Sequence, residues 1–112
     1  MCGFVALISP VVPIRDDLLC VMRDRIIHRG PDNGSNWLPS RRSVGLAHRR
    51  LSIIDTSHSA DQPMATADGR LRIAFNGEIY NFVELRNELA GLGHVFTTRS
   101  DTEVLLAAFR QW

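Results

Sequence analysis

Cysteine at position 2 has the most reactive chemistry within reach. If a methionine aminopeptidase removes Met1, which a small second residue permits, Cys2 becomes the N-terminus. One residue then carries both a thiol and a free α-amine. The amine titrates near 7.7–8.0 and the thiol near 8.5, so the amine can take or relay the thiol proton near neutral pH without a histidine, as in N-terminal nucleophiles. From position alone the plainer reading is a small apolar residue buried at the chain start. Asn76-Gly77 also reads two ways. Between Leu71–Phe75 and Ile79-Tyr80 it is a strong hairpin signal, and turn chemistry alone accounts for it. An amide side chain beside an exposed glycine N–H is also an oxyanion hole. Arg50, beside Arg49, is either solvated surface or a two-pronged clamp for a carboxylate. Asp101 suits the first turn of a helix, and Glu78 suits the flank of a turn. The four histidines show no metal-ligand spacing. The nearness of His48, Ser52 and Asp55 in the chain carries no weight, because a triad is assembled in space.

The elements that must position these residues follow from periodicity. Gly3–Ile8 is a short apolar run rich in Val, Ile and Phe, a buried strand. Asp16–Ile27 carries Leu18, Leu19, Met22 and Ile26 at helical spacing. His28–Gly34, with Pro31 and two glycines, is loop. Ser43–Ala47 is a strand, which Leu51–Ile54 extends or follows with another. Asp55–Asp68 is polar and ends in an Asp68-Gly69 turn, and Arg70–Phe75 alternates as a half-buried strand does. Asn81 with Glu84 forms a capping box for a helix lined by Leu85, Leu89 and Leu92 and stopped by Gly93. His94–Thr98 is a strand. Ser100 with Glu103 opens a last helix, carrying Val104, Leu105, Ala108 and Phe109, that runs to Trp112.

Composition narrows the function classes. The chain has 112 residues, 45% of them apolar and 22% charged, the balance of one ordinary globular domain. Thirteen basic and twelve acidic residues leave a formal charge of +1, without the basic excess of a nucleic-acid binder. Cys2 and Cys20 are too few for a disulfide framework or a zinc site. No apolar stretch is long enough to span a membrane. The Gly3–Ile8 run lacks the flanks of a signal peptide, so a cytoplasmic protein starting at Met1 is expected.

The mixed α+β pattern and the site candidates converge on a family. The chain resembles the N-terminal glutamine amidotransferase domain of glutamine-hydrolysing asparagine synthetases, a class II N-terminal-nucleophile domain. The motifs that carry this are Met1-Cys2-Gly3, His28-Arg-Gly-Pro-Asp32, Gly45-Leu-Ala-His-Arg-Arg-Leu-Ser-Ile-Ile-Asp55, Gln62-Pro63, Phe75-Asn-Gly-Glu-Ile-Tyr-Asn-Phe82, Glu84-Leu-Arg86 and Ser100-Asp-Thr-Glu-Val-Leu-Leu106. They run in family order across nearly the whole chain, and the His-Arg-Gly-Pro-Asp form points to the asparagine synthetase branch.

The resemblance implies that Cys2 attacks the side-chain amide of glutamine, while Asn76 and Gly77 hold the oxyanion. Arg50 would clamp the substrate carboxylate. Asp101 and Glu78, with backbone carbonyls near Ile53 and Ile54, would hold its ammonium. It implies an αββα sandwich of which residues 1–112 are only the N-terminal part, so apolar surface is expected to be bare. No metal or cofactor is expected in this domain. ATP and Mg2+ would belong to an absent C-terminal synthetase domain, the partner that takes the ammonia to aspartate. A homodimer of the full-length protein is compatible with the resemblance, whereas nucleic acid and membrane are not expected partners. Two other readings are a domain feeding ammonia to a different acceptor and a degenerate fragment that binds glutamine or a partner without hydrolysis.

Overall fold

The computed structural model describes all residues from Met1 to Trp112 except Ile54 and Thr56. Its elements run β1 (Gly3–Ile8), α1 (Asp16–Arg25), β2 (Asn33–Trp37), β3 (Val44–Arg50), β4 (Met64–Ala65), β5 (Arg72–Ile73), α2 (Phe82–Gly91) and α3 (Asp101–Gln111). This is an α+β domain. β3 is the centre of an antiparallel sheet ordered β1-β3-β2, and β4 and β5 form a separate small hairpin.

α1 covers one face of the three-stranded sheet. Its first turn carries Asp16 and Asp17 and its last carries Arg23 and Arg25, the polarity that suits the helix dipole. Leu19 is fully buried against Gly45, where an added Cβ would sit 3.2 Å from a Leu19 methyl. Leu18, expected on the same stripe, is half exposed. A second small core forms where Leu106 of α3 meets Ala60, Met64, Leu71 and Ile73. α2 packs on α3.

The expected β1, α1, α2 and α3 are present. The first helix ends at Arg25, and a single tight 3-10 turn at Ile27–Arg29 follows. β2 starts inside the expected loop, and nothing in its sequence, Asn-Gly-Ser-Asn-Trp, alternates. Its pairing comes from the free edge of β3 rather than from its own pattern. β3 runs three residues past Ala47, because the buried His48, Arg49 and Arg50 all find partners. Leu51–Ile53 is not strand, and Ile54 lies outside the described residues. The expected 70–75 strand shrinks to Arg72–Ile73 and turns back through Asp68-Gly69, with Gly69 at φ +69°.

No strand forms at 94–98. There the Glu103 carboxylate accepts from the N–H and hydroxyl groups of Thr97 and Thr98 and takes the place of a ladder. Ser100 caps α3 through the N–H of Thr102 at 3.1 Å, but Asn81 makes no side-chain cap at α2. Gly93, at φ +97°, ends α2 as expected.

Candidate active site

The end of β3 and the turn after it carry the site. Gly30 packs directly on them: a Cβ there would fall 2.3 Å from the carbonyl carbon of Arg49, so only glycine fits. Arg49 donates to Gly30 O at 2.9 Å, and Asp32 accepts from Ser52 N–H at 2.8 Å. The His28–Asp32 loop is thereby fastened beside the chain start, where Arg29 Nε donates to Cys2 O at 3.2 Å. The thiol of Cys2 lies against the backbone of Leu51, 3.3 Å from its N–H and 3.5 Å from its carbonyl.

Around this thiol a cleft of about 270 Å3 is lined by Cys2, Arg50, Ile53, Asn76, Gly77, Glu78 and Asp101 among others. Each of those residues was expected in a site from sequence. Ile54 lies outside the described residues. Met1 also lines the cleft, and while it is attached the Cys2 nitrogen is a peptide amide with no basic lone pair.

The Asn76-Gly77 hairpin is not formed. β5 pairs backward with β4, residues 79–80 are not strand, and Gly77 does not have the positive φ that a type I′ turn needs. Glycine at 77 answers to crowding instead, since an added Cβ would lie 2.6 Å from the Phe75 ring. Asp101 keeps its place in the first turn of α3, but its Oδ2 also accepts from Ile79 N–H at 2.9 Å. One carboxylate oxygen is thus committed to the loop that carries Asn76 and Gly77.

Arg50 is buried, not solvated. Nη1 donates to Ser57 O and to Asp61 Oδ1, both at 2.7 Å, and Nη2 donates to Asp55 O. Of the five guanidinium N–H groups, Nε–H and one on Nη2 have no partner among the described residues. Those two N–H groups remain to donate to a carboxylate. Burial pushes the Asp61 carboxyl up, but its bonds to Arg50, His58 and Asn33 outweigh that and hold it low. Asp55 is drawn down to about 2 by the hydroxyl of Ser57 and the N–H groups of Arg99 and Ser57.

Sequence reasoning gave no role to His48, Asp61, Gln62 or Thr102. Their clearest signal was a polar residue on an apolar alternation: His48 shares a sheet face with Leu46 and Val44, yet it is buried.

A family profile described as glutamine amidotransferase domain matches residues 1–112. The chain belongs to the glutamine amidotransferase domain family. Asparagine synthetase [glutamine-hydrolyzing] 1 of Bacillus subtilis is 45% identical over the whole of this chain, which covers 18% of that relative. The asparagine synthetase [glutamine-hydrolyzing] of Sandersonia aurantiaca is 38% identical over 99% of this chain, which covers 21% of it. A protein named Amidase chry2, of Gibberella zeae, is 38% identical over 80% of this chain, and the match covers 13% of that relative. This amidotransferase domain therefore spans about a fifth or less of each of these relatives. Among its described residues no helix is long and apolar enough to cross a membrane.

Proposed function

We propose that this domain carries out the glutaminase half-reaction of an asparagine synthetase. The observation that supports it is the single cleft shared by Cys2, Arg50, Asn76, Gly77, Glu78 and Asp101. After Met1 is removed, the freed α-amine takes the Cys2 thiol proton and the sulfur attacks the side-chain amide carbon of glutamine. The Asn76 amide and the Gly77 N–H stabilise the tetrahedral oxyanion. The ammonium of Cys2 returns the proton to the leaving nitrogen and ammonia departs, leaving a thioester. Water then attacks that thioester with the amine as base, and glutamate leaves with the thiol restored. Arg50 binds the α-carboxylate through its remaining N–H groups, and Asp101 and Glu78, with carbonyls near Ile53 and Ile54, take the α-ammonium.

In this reading the fold is the first part of an N-terminal-nucleophile αββα sandwich. The sheet covered by α1 supplies one helix–sheet pair, and a second sheet packs on the face that bears Phe4 and Ile8. Ammonia passes to a C-terminal synthetase domain that uses ATP and Mg2+ to activate aspartate. No step in this domain uses either.

The test is glutamine hydrolysis by the full natural chain. Cys2→Ala should abolish ammonia release and leave glutamine binding intact, and a Met1-retaining form should be equally inactive. Ammonia release persisting in Cys2→Ala would remove the nucleophile assignment.

A further inference from the structure

The segment that carries Asn76 and Gly77 belongs to no strand or helix. Among the described residues, no hydrogen bond holds Asn76, Gly77 or Glu78 themselves. Among the described residues the segment is fastened at its ends. At Ile79 the fastening is Asp101. At Phe75 there are two, one on each of the peptide groups that flank its Cα. His48 Nε2 lies 3.1 Å from Phe75 O, and Gln62 Oε1 accepts from Phe75 N–H at 2.5 Å. A carbonyl only accepts, so Nε2 carries the proton and His48 is the donor.

Both side chains are buried, His48 to 1% exposure and Gln62 to 7%. Burial also lowers the imidazole's proton affinity and favours the neutral ring. Its Nδ1 is buried with no partner among the described residues, so an apolar side chain of similar size would suit packing better at this position. The polar function of the ring is therefore exercised through Nε2. Gln62 is oriented in turn, because its Nε2 donates to Thr102 Oγ1 at 3.1 Å and its backbone carbonyl accepts from Ser35 Oγ. Thr102 follows Asp101 in the first turn of α3.

We propose that His48 and Gln62 are positioning residues that hold the Phe75 backbone at its carbonyl and its N–H and so set the Asn76 and Gly77 donors over the Cys2 thiol. This rests on the glutaminase reading. Donors to a developing oxyanion act through placement to within about half an ångström, and a segment without a sheet ladder gets that placement from these two bonds. Because Gln62 also touches the residue after Asp101, it ties the oxyanion donors to the proposed ammonium acceptor. The substrate's reacting carbon and its α-ammonium are thus held in one frame.

The test compares His48→Leu and Gln62→Met with His48→Gln, whose amide N–H can still donate, in the full natural chain. His48→Leu and Gln62→Met should lower kcat for glutamine hydrolysis on the order of 10- to 100-fold, below or at the loss from removing one oxyanion donor outright. KM should stay within about threefold, and His48→Gln should recover most of kcat. An aldehyde analogue of glutamine adds to the Cys2 thiol and places its oxygen where the oxyanion forms, so its inhibition should weaken in parallel with kcat. Glutamine binding measured in a Cys2→Ala background should not change. If either buried variant fails to fold, Thr102→Val, which removes only the acceptor that orients Gln62, carries the test through a severalfold drop in kcat at constant KM.

Unchanged kcat in the folded variants, or a fall in kcat without weaker aldehyde inhibition, overturns the clamp. Hydrolysis surviving in Cys2→Ala overturns instead the reading beneath it, so the two failures are distinguishable.

Discussion

On the α1 face of the β1-β3-β2 sheet, Leu19 and Ala47 are sealed from solvent. On the opposite face the sealed residue is His48, and beside it Phe4 and Ile8 of β1 stand exposed, Ile8 by 80%. The first face is held by apolar area removed from water, which is non-directional and tolerant of small shifts. The second, where it meets the cleft, is held by side chains bonded to distant backbone: His48 and Gln62 to Phe75, Asp101 to Ile79, Asp55 to Arg99. Such bonds contribute little net stability each, but they fix direction and distance. The molecule thus separates what keeps it folded from what aims the cleft.

Substitutions in the two regions should therefore fail differently. Leu19→Ala opens a cavity under α1 and should cost about 2–5 kcal/mol, the largest loss of stability expected here. A thermal melt would show it, while the KM for glutamine below the melting range should stay close to wild type. Asp61→Asn should cost less, about 1–3 kcal/mol. It removes the charge that pairs Arg50 and turns an amide N–H toward the donors of Asn33 and His58. Its larger effect should fall on the substrate, with KM rising about tenfold, equivalent to about 1.4 kcal/mol. A KM shift of that size in Leu19→Ala, or none in Asp61→Asn, would break the separation.

The same contrast explains what the sequence made legible. Gly3–Ile8, Asp16–Arg25 and Asp101–Gln111 lie within segments whose own apolar spacing specifies them. Residues 33–37 and 94–98 have no such spacing: the first is strand only because β3 offers an edge, and the second is not strand because Glu103 takes its N–H groups. Cys2, Arg50, Asn76, Gly77 and Asp101 were legible as residue types suited to a chemistry, with the resemblance supplying their roles. What remained hidden was the support. His48 and Gln62 are 27 and 13 residues from the residue whose backbone they hold, and no local pattern encodes a bond of that span. The hairpin at Asn76-Gly77 failed for the same reason, since the polar grip on Phe75 draws the chain away from strand pairing.

The smallest expected effect is the response to acid, and it should appear on one side only. Asp55 titrates near 2 in the folded chain, because Ser57 and Arg99 hydrogen-bond its charged form, against about 3.9 unfolded. Between those values the unfolded chain binds more protons, so the stabilisation is complete above about pH 4 and is lost as pH falls through about 2. Asp61 and Glu103 are also held low: burial raises both, and their hydrogen bonds outweigh it. They should carry the same sign in the Asp55→Asn variant. That variant should therefore lose stability less steeply than wild type from pH 4 to pH 2 in melts at fixed ionic strength. Corrected hydrogen exchange should speed up at Ser57 and Arg99, whose N–H groups Asp55 accepts, before it does in β3 opposite α1. Equal acid slopes in the two proteins would mean that the Asp55 bonds are not what joins this turn to the start of α3, and exchange rising uniformly across the sheet would mean that its two faces open together.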